Sequence, residues 1–205
     1  MSRCYPVHNR LKLGVYLMTL LPQLTQPSSS QTHGQTSSDL IRAFFQFSEG
    51  KWRSERRYYT LPEGPTEELV SIVTVEFLEP GHVSLLELGS LHQLSLAECE
   101  ALCGSKVYWE STDSRNGKKK SAGSTVFGAL NSILYRDRGF ATLNPVTAKF
   151  YLPNPETLCL RTEYNGSVFE EEIKHIGQQY RTRQSIMSRA GEQIMIGQYL
   201  EKRIQ

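Results

Sequence analysis

The chain has 205 residues, 39% hydrophobic and 21% charged, with a formal net charge of +2. That length builds one ordinary domain with its own core, and the composition is that of a globular protein. The near-balanced charge argues against a general nucleic-acid binder.

At the N-terminus, Arg10 and Lys12 precede the apolar run LGVYLMTLL, which has the look of a signal-peptide core. No small-x-small cleavage site follows it, and the run is too short to span a membrane. Met18 lies inside it. A start site placed too early explains residues 1–17 better than a signal peptide does. Residues 25–38 are rich in Ser, Gln and Thr and read as linker. The expected organisation is a disordered extension over 1–37 and one folded domain over 38–205.

Ser38 or Asp39 can cap a helix with apolar positions Leu40, Ile41, Phe44, Phe45 and Phe47, ended by Gly50. Period 2 then takes over. Strands are predicted over 51–61, 68–78, 104–112, 122–130, 132–137, 146–152, 157–164, 167–174, 178–187 and 192–201. The links carry turn chemistry, such as Asn116-Gly117, Asn144-Pro145 and Ala190-Gly191. Tyr164-Asn165-Gly166-Ser167 is the clearest hairpin, since Asn-Gly supplies the positive φ angles of a type I′ turn. The exception is 81–97, where Leu85, Leu86, Leu88, Leu91 and Leu94 recur at helical spacing. The prediction is a mainly β protein: about ten antiparallel strands in a sandwich or barrel, with an N-terminal helix and one helical insert. A closed up-and-down barrel removes the sheet edges and encloses a cavity.

The first strand, GKWRSERRYYTL over 50–61, breaks the simple alternation. Trp52, Ser54, Arg56 and Tyr58 share one face, while Lys51, Arg53, Glu55, Arg57 and Tyr59 share the other. Gly50-x-Trp52 resembles the Gly-x-Trp of lipocalin-type barrels, in which the tryptophan plugs one end. Arg56 then lies ~13 Å further along the inner face. A buried arginine needs an anionic partner, from the protein or from a ligand. The cysteines Cys4, Cys99, Cys103 and Cys159 form neither a C-x-x-C pair nor a Cys/His zinc pattern. They fit thiols in a reducing, cytoplasmic compartment, and no metal site is expected.

Five motifs resemble one family in order. Phe44-Phe45-Gln46-Phe47-Ser48-Glu49-Gly50-Lys51-Trp52-Arg53-Ser54-Glu55-Arg56 resembles the start of the S/U-type (CpcS/CpeS/CpcU-like) phycobiliprotein lyases. Cys103-Gly104-Ser105-Lys106-Val107-Tyr108-Trp109, Gly123-Ser124-Thr125-Val126, Leu134-Tyr135-Arg136-Asp137-Arg138-Gly139-Phe140 and Arg181-Thr182-Arg183-Gln184-Ser185-Ile186 are similar to later motifs of that family. The likeness spans about residues 40–203 and is nearest to the U-type branch. It implies a lipocalin- or fatty-acid-binding-protein-like barrel that binds a phycobilin, phycocyanobilin by preference, as substrate rather than permanent cofactor. It implies delivery of that bilin through a thioether to a cysteine of a phycocyanin- or allophycocyanin-type apo-subunit. It also implies a hetero-oligomer with an S-type lyase subunit. The nucleophile then belongs to the acceptor, in keeping with the lack of any nucleophile–base pattern here.

A bilin carries two propionates, and arginine's planar fork suits carboxylates. On the resemblance, Arg56, Arg181 and Arg183 bind the bilin, with Arg181 and Arg183 on one face by period 2, and Trp109 stacks on a pyrrole ring. A carboxylate near the ring nitrogens would favour the protonated, more electrophilic bilin; Glu163, Glu170 and Glu171 are the candidates, Glu163 and Glu171 foremost. Tyr59 stands where many of these lyases have a histidine in Arg-x-x-His. With a side-chain pKa near 10, it is a poor proton carrier at neutral pH. His175 is the nearest substitute by type. The alternatives are a bilin carrier without catalysis and an assembly partner that binds no pigment.

Overall fold

The computed structural model describes residues 36–140 and 142–205. The apolar run, Met18 and nearly all of the expected extension over 1–37 lie outside them. Helix α1 (Ser37–Ser48) starts two residues earlier than a Ser38 cap would place it and three earlier than an Asp39 cap would. The cap is Thr36, and Asp39 is the third helical residue. The Thr36 hydroxyl accepts from the Asp39 amide, and the Asp39 carboxylate accepts from the Thr36 amide, a reciprocal capping box. Ile41, Phe44, Phe45 and Ser48 form the buried stripe at helical spacing.

Ten antiparallel strands follow: β1 (Gly50–Thr60), β2 (Thr66–Leu78), β3 (Cys103–Asp113), β4 (Lys119–Leu130), β5 (Ile133–Arg136), β6 (Val146–Asn154), β7 (Thr157–Tyr164), β8 (Ser167–Ile176), β9 (Tyr180–Arg189) and β10 (Glu192–Ile204). Each pairs with its neighbours in sequence, and β1 pairs with β10 to close the barrel. Every predicted strand is present. The hairpin at Asn165-Gly166 has φ of 51° and 70°, the left-handed pair that a type I′ turn needs.

The segment 81–97 is not one helix. It contains α2 (Val83–Leu91) and the start of α3 (Leu96–Ala101). Gln93, at φ 57°, breaks the path between them. Ser95 then caps α3 through a second capping box with Glu98. That Ser-x-x-Glu spacing is visible in the sequence. The pair packs outside the barrel, where Leu78, Leu85, Leu88 and Leu102 form a satellite core against Val126, Leu130 and Tyr135.

Helix α1 closes one end of the barrel. Its buried face packs on Ala129, Leu134, Ala148, Phe150, Leu158 and Leu160. Trp52 is fully buried at this end, and its indole N–H donates to the Ser48 carbonyl at 2.9 Å. Arg203 lies over the Trp52 ring at 4.2 Å and donates to the carbonyls of Phe47, Glu49 and Gln178. A cation thus satisfies the last carbonyls of α1, where the helix dipole favours positive charge. His175 is buried beside it, within 3.0 Å of the Ser48 hydroxyl through Nε2.

Candidate ligand-binding site

The barrel encloses a cavity of about 560 Å³, bounded below by Phe44, Phe45 and Ser48 of α1. The inward faces of the strands supply the wall. Arg56 and Tyr58 come from β1, Trp109 from β3, Arg136 from β5, Glu171 from β8, Arg181 and Arg183 from β9, and Tyr199 and Glu201 from β10. Phe140 and Leu143, after β5, line it at the far end and are 43% and 81% exposed. The wall is apolar for most of its area and interrupted by these few charges, the usual make-up of a small-molecule site.

Five arginines line the cavity against two glutamates. Arg138 lies 3.4 Å from Asp137, which leaves four guanidinium groups facing two carboxylates. Arg181 donates to Glu201, and Arg183 donates to Glu171. Burial works to raise the Glu201 pKa, but the Arg181 cation beside it outweighs this and holds the carboxyl below its usual range. Burial likewise opposes the charge on Arg183, and Glu171 with Tyr199 more than restores it.

Arg56 and Arg136 are placed differently. Arg56 has no carboxylate within 4 Å among the described residues; it donates to the Ser54 hydroxyl at 3.2 Å and faces the Tyr199 ring at 5.5 Å. Arg136 is 5% exposed, and its nearest carboxylate oxygen, on Glu171, is 3.7 Å away. Burial lowers its pKa, with Glu171 only partly compensating. The Nε atoms of Arg136 and Arg183 and Oε2 of Glu171 are buried with no hydrogen-bond partner among the described residues. A cavity with two incompletely paired cations and orphaned buried polar atoms suits an anionic ligand with two acidic arms.

Of the sequence-predicted residues, Arg56, Trp109, Arg181, Arg183 and Glu171 meet in this cavity. The close approach of Trp109 depends on Gly123, because a Cβ there would stand 2.7 Å from the indole. Two expected catalytic residues do not reach the site. Tyr59 points outward, with the Arg57 guanidinium 3.5 Å from its hydroxyl. Glu163 is exposed and paired with Arg161 at 2.7 Å. The reason is the strand period: Tyr59 and Glu163 occupy the parity opposite to Arg56 and Thr162. Glu170 is also outward, 2.8 Å from Arg161. His175 belongs to the closed end rather than to the cavity wall. Burial, followed by the nearby Arg181 and Arg203 charges, lowers its pKa to about 4.

Sequence reasoning did not single out Arg136, Glu201 or Tyr199 as site residues. Arg136 lay inside a quoted motif, and Tyr199 and Glu201 share inward parity with Gly197 and Arg203 on β10. What the sequence lacked was the facing residue on each neighbouring strand.

The fold and the cavity define a closed antiparallel β-barrel around a cavity lined by more arginines than carboxylates. The chain belongs to the CpeS-like protein family, whose profile matches residues 40–204. It is 62% identical, over 80% of its own length and 91% of the relative's, to a Nostoc sp. (strain PCC 7120) protein named as a candidate phycocyanobilin lyase, CpcS 2. It is 46% identical, over 82% and 84%, to a candidate chromophore lyase, CpcV, of Picosynechococcus sp.. The phycocyanobilin lyase subunit CpcS of the same organism is 30% identical over 80% and 86%. Among solved structures, the S-type phycobiliprotein lyase CPES of Guillardia theta superposes with a TM-score of 0.67 at 20% identity, covering 80% of this chain and 93% of that one. That likeness bears on the fold, a lipocalin-like barrel.

Proposed function

We propose that this chain is a bilin:cysteine lyase, or one subunit of such a lyase. It takes a phycobilin into the barrel and delivers it to a cysteine of a phycocyanin- or allophycocyanin-type subunit. Membership of the CpeS-like family supports the reading. The observation that carries it is the pair of cavity arginines, Arg56 and Arg136, neither of which has a carboxylate oxygen nearer than 3.7 Å among the described residues. Two propionates on one ligand answer two such cations. Arg181 and Arg183 keep their own glutamates and stiffen the wall. Trp109 offers a face for a pyrrole ring.

The acceptor supplies the thiol. Its sulfur adds to the exocyclic carbon of the bilin's ethylidene group, and the π pair moves to the adjacent ring carbon, which takes the proton released by the thiol. Glu171 accepts hydrogen bonds from protonated ring nitrogens and so favours the cationic bilin, whose positive charge draws electron density from that exocyclic carbon. The closed barrel holds the bilin in one conformer and keeps water away from the reacting carbon. Phycocyanobilin is the preferred bilin, because two relatives carry it in their names. The word "subunit" in one of those names supports a heteromeric lyase with an S-type partner.

The test mixes purified protein, phycocyanobilin and apo-phycocyanin or apo-allophycocyanin subunits, with and without an S-type lyase. The expected result is acid-stable covalent colour on the acceptor in at least one arm. No adduct in either arm refutes the proposal. A visible absorption shift on mixing protein and bilin, with no adduct on the acceptor, would leave a carrier instead of a lyase.

A further inference from the structure

On β10, Tyr199 faces Arg56 of β1 on one side and Arg183 of β9 on the other. Its ring lies 5.5 Å from one guanidinium carbon and 5.3 Å from the other, so an aromatic wall separates the two cations. Its hydroxyl lies 3.3 Å from that of Ser185. Both side chains are buried on the inward parity of their strands, and Tyr199 lines the cavity. Gly197 makes room for them: a Cβ at that position would stand 2.5 Å from Ser185 Oγ and 2.9 Å from the Tyr199 hydroxyl. Burial raises the Tyr199 pKa, which keeps the phenol neutral and able to donate.

The charged part of the wall is specialised. A guanidinium only donates and a carboxylate only accepts. The Tyr199–Ser185 pair does both without charge. Such a pair is suited to a neutral polar group that both accepts and donates. Open-chain tetrapyrroles end in lactam rings, whose carbonyl accepts and whose N–H donates.

We propose that the Tyr199 and Ser185 hydroxyls form a specificity subsite that reads a lactam of the bilin, distinct from the arginines that take its propionates. The inference rests on the bilin reading above. It assigns to Gly197 the role of admitting the pair.

The experiment compares two dicarboxylates on the full chain. Biliverdin carries both propionates and lactams; mesoporphyrin carries propionates alone. Tyr199→Phe keeps the ring between the arginines and removes the hydroxyl. The expected result is on the order of ten-fold weaker biliverdin binding, the loss of one buried hydrogen bond, with a displaced visible absorption band. Mesoporphyrin affinity should stay within two-fold, roughly the scatter of a near-neutral substitution. Gly197→Ala retains both hydroxyls but forces them apart, and should reproduce the biliverdin defect. Equal loss for both ligands, or no loss for either, overturns the subsite. If the unmodified protein binds neither ligand, the bilin reading itself fails and this inference falls with it.

Discussion

Arg56 and Arg136 differ from their neighbours in what neutralises them, and that difference sets the expected effects of mutation. Arg56→Gln removes a cation with no carboxylate to strand, so the fold should persist. Phycocyanobilin affinity should fall about 10- to 100-fold, the worth of a charged hydrogen bond. Arg53→Gln on the outer face, paired with Glu55 in solvent, should leave affinity unchanged; fluorescence or absorption titration checks both. Glu201→Gln acts in the opposite sense. It leaves the buried Arg181 guanidinium without its anion, and a broken buried pair costs about 3–5 kcal/mol in urea unfolding. His175 makes a pH prediction. Its pKa falls from 6.5 to about 4 in the folded chain, so between those values the unfolded chain binds more protons. Stability therefore drops as pH falls through that window, by ~1.5 kcal/mol between pH 6.5 and 5 from this group. Arg181, Arg203 and Glu201 are the charges that act on it. His175→Gln should flatten that part of the curve of urea midpoint against pH; an unchanged slope would count against the assignment.

At the scale of elements, the helices divide the labour. Helix α1 belongs to the barrel core and the cavity floor, whereas α2, with α3 packed against it, covers the outside of β4 and β5. Leu88, 1% exposed, sits in that outer cluster and lines no part of the cavity. Leu88→Ala should cost about 2–5 kcal/mol with bilin affinity unchanged, whereas Phe44→Ala should lower both stability and affinity. Most of the strands were legible because they alternate apolar and polar residues and are linked by segments rich in Gly, Pro and Asn. The helix caps were less so. Thr36 wins over Ser38 because its hydroxyl can reach the Asp39 amide and Asp39 can reply, a preference settled by two bonds at once. The break at Gln93 has no such signature, since glutamine rarely marks a left-handed turn.

At the scale of the whole molecule, closure by β1 and β10 removes both sheet edges and makes the cavity walls part of the fold. A ligand in that cavity is thus coupled to global stability. Phycocyanobilin at 100 times its dissociation constant should stabilise the chain by ~2.7 kcal/mol, read as a raised thermal midpoint. An unchanged midpoint would mean that the folded chain does not bind the bilin in preference to the unfolded one. By itself the sequence determined the strand count, the inward parity of Trp52, Arg56, Arg181 and Arg183, and the family likeness. These depend on period 2 and on local turn chemistry, which the chain carries residue by residue. The tertiary structure decided which arginines remain unpaired. Arg181 finds Glu201 and Arg183 finds Glu171 only through pairing between strands, and Arg136 reaches the cavity only when β5 takes its place in the wall. Ion pairing is a property of facing residues, and the register that makes residues face one another exists only once the barrel has closed.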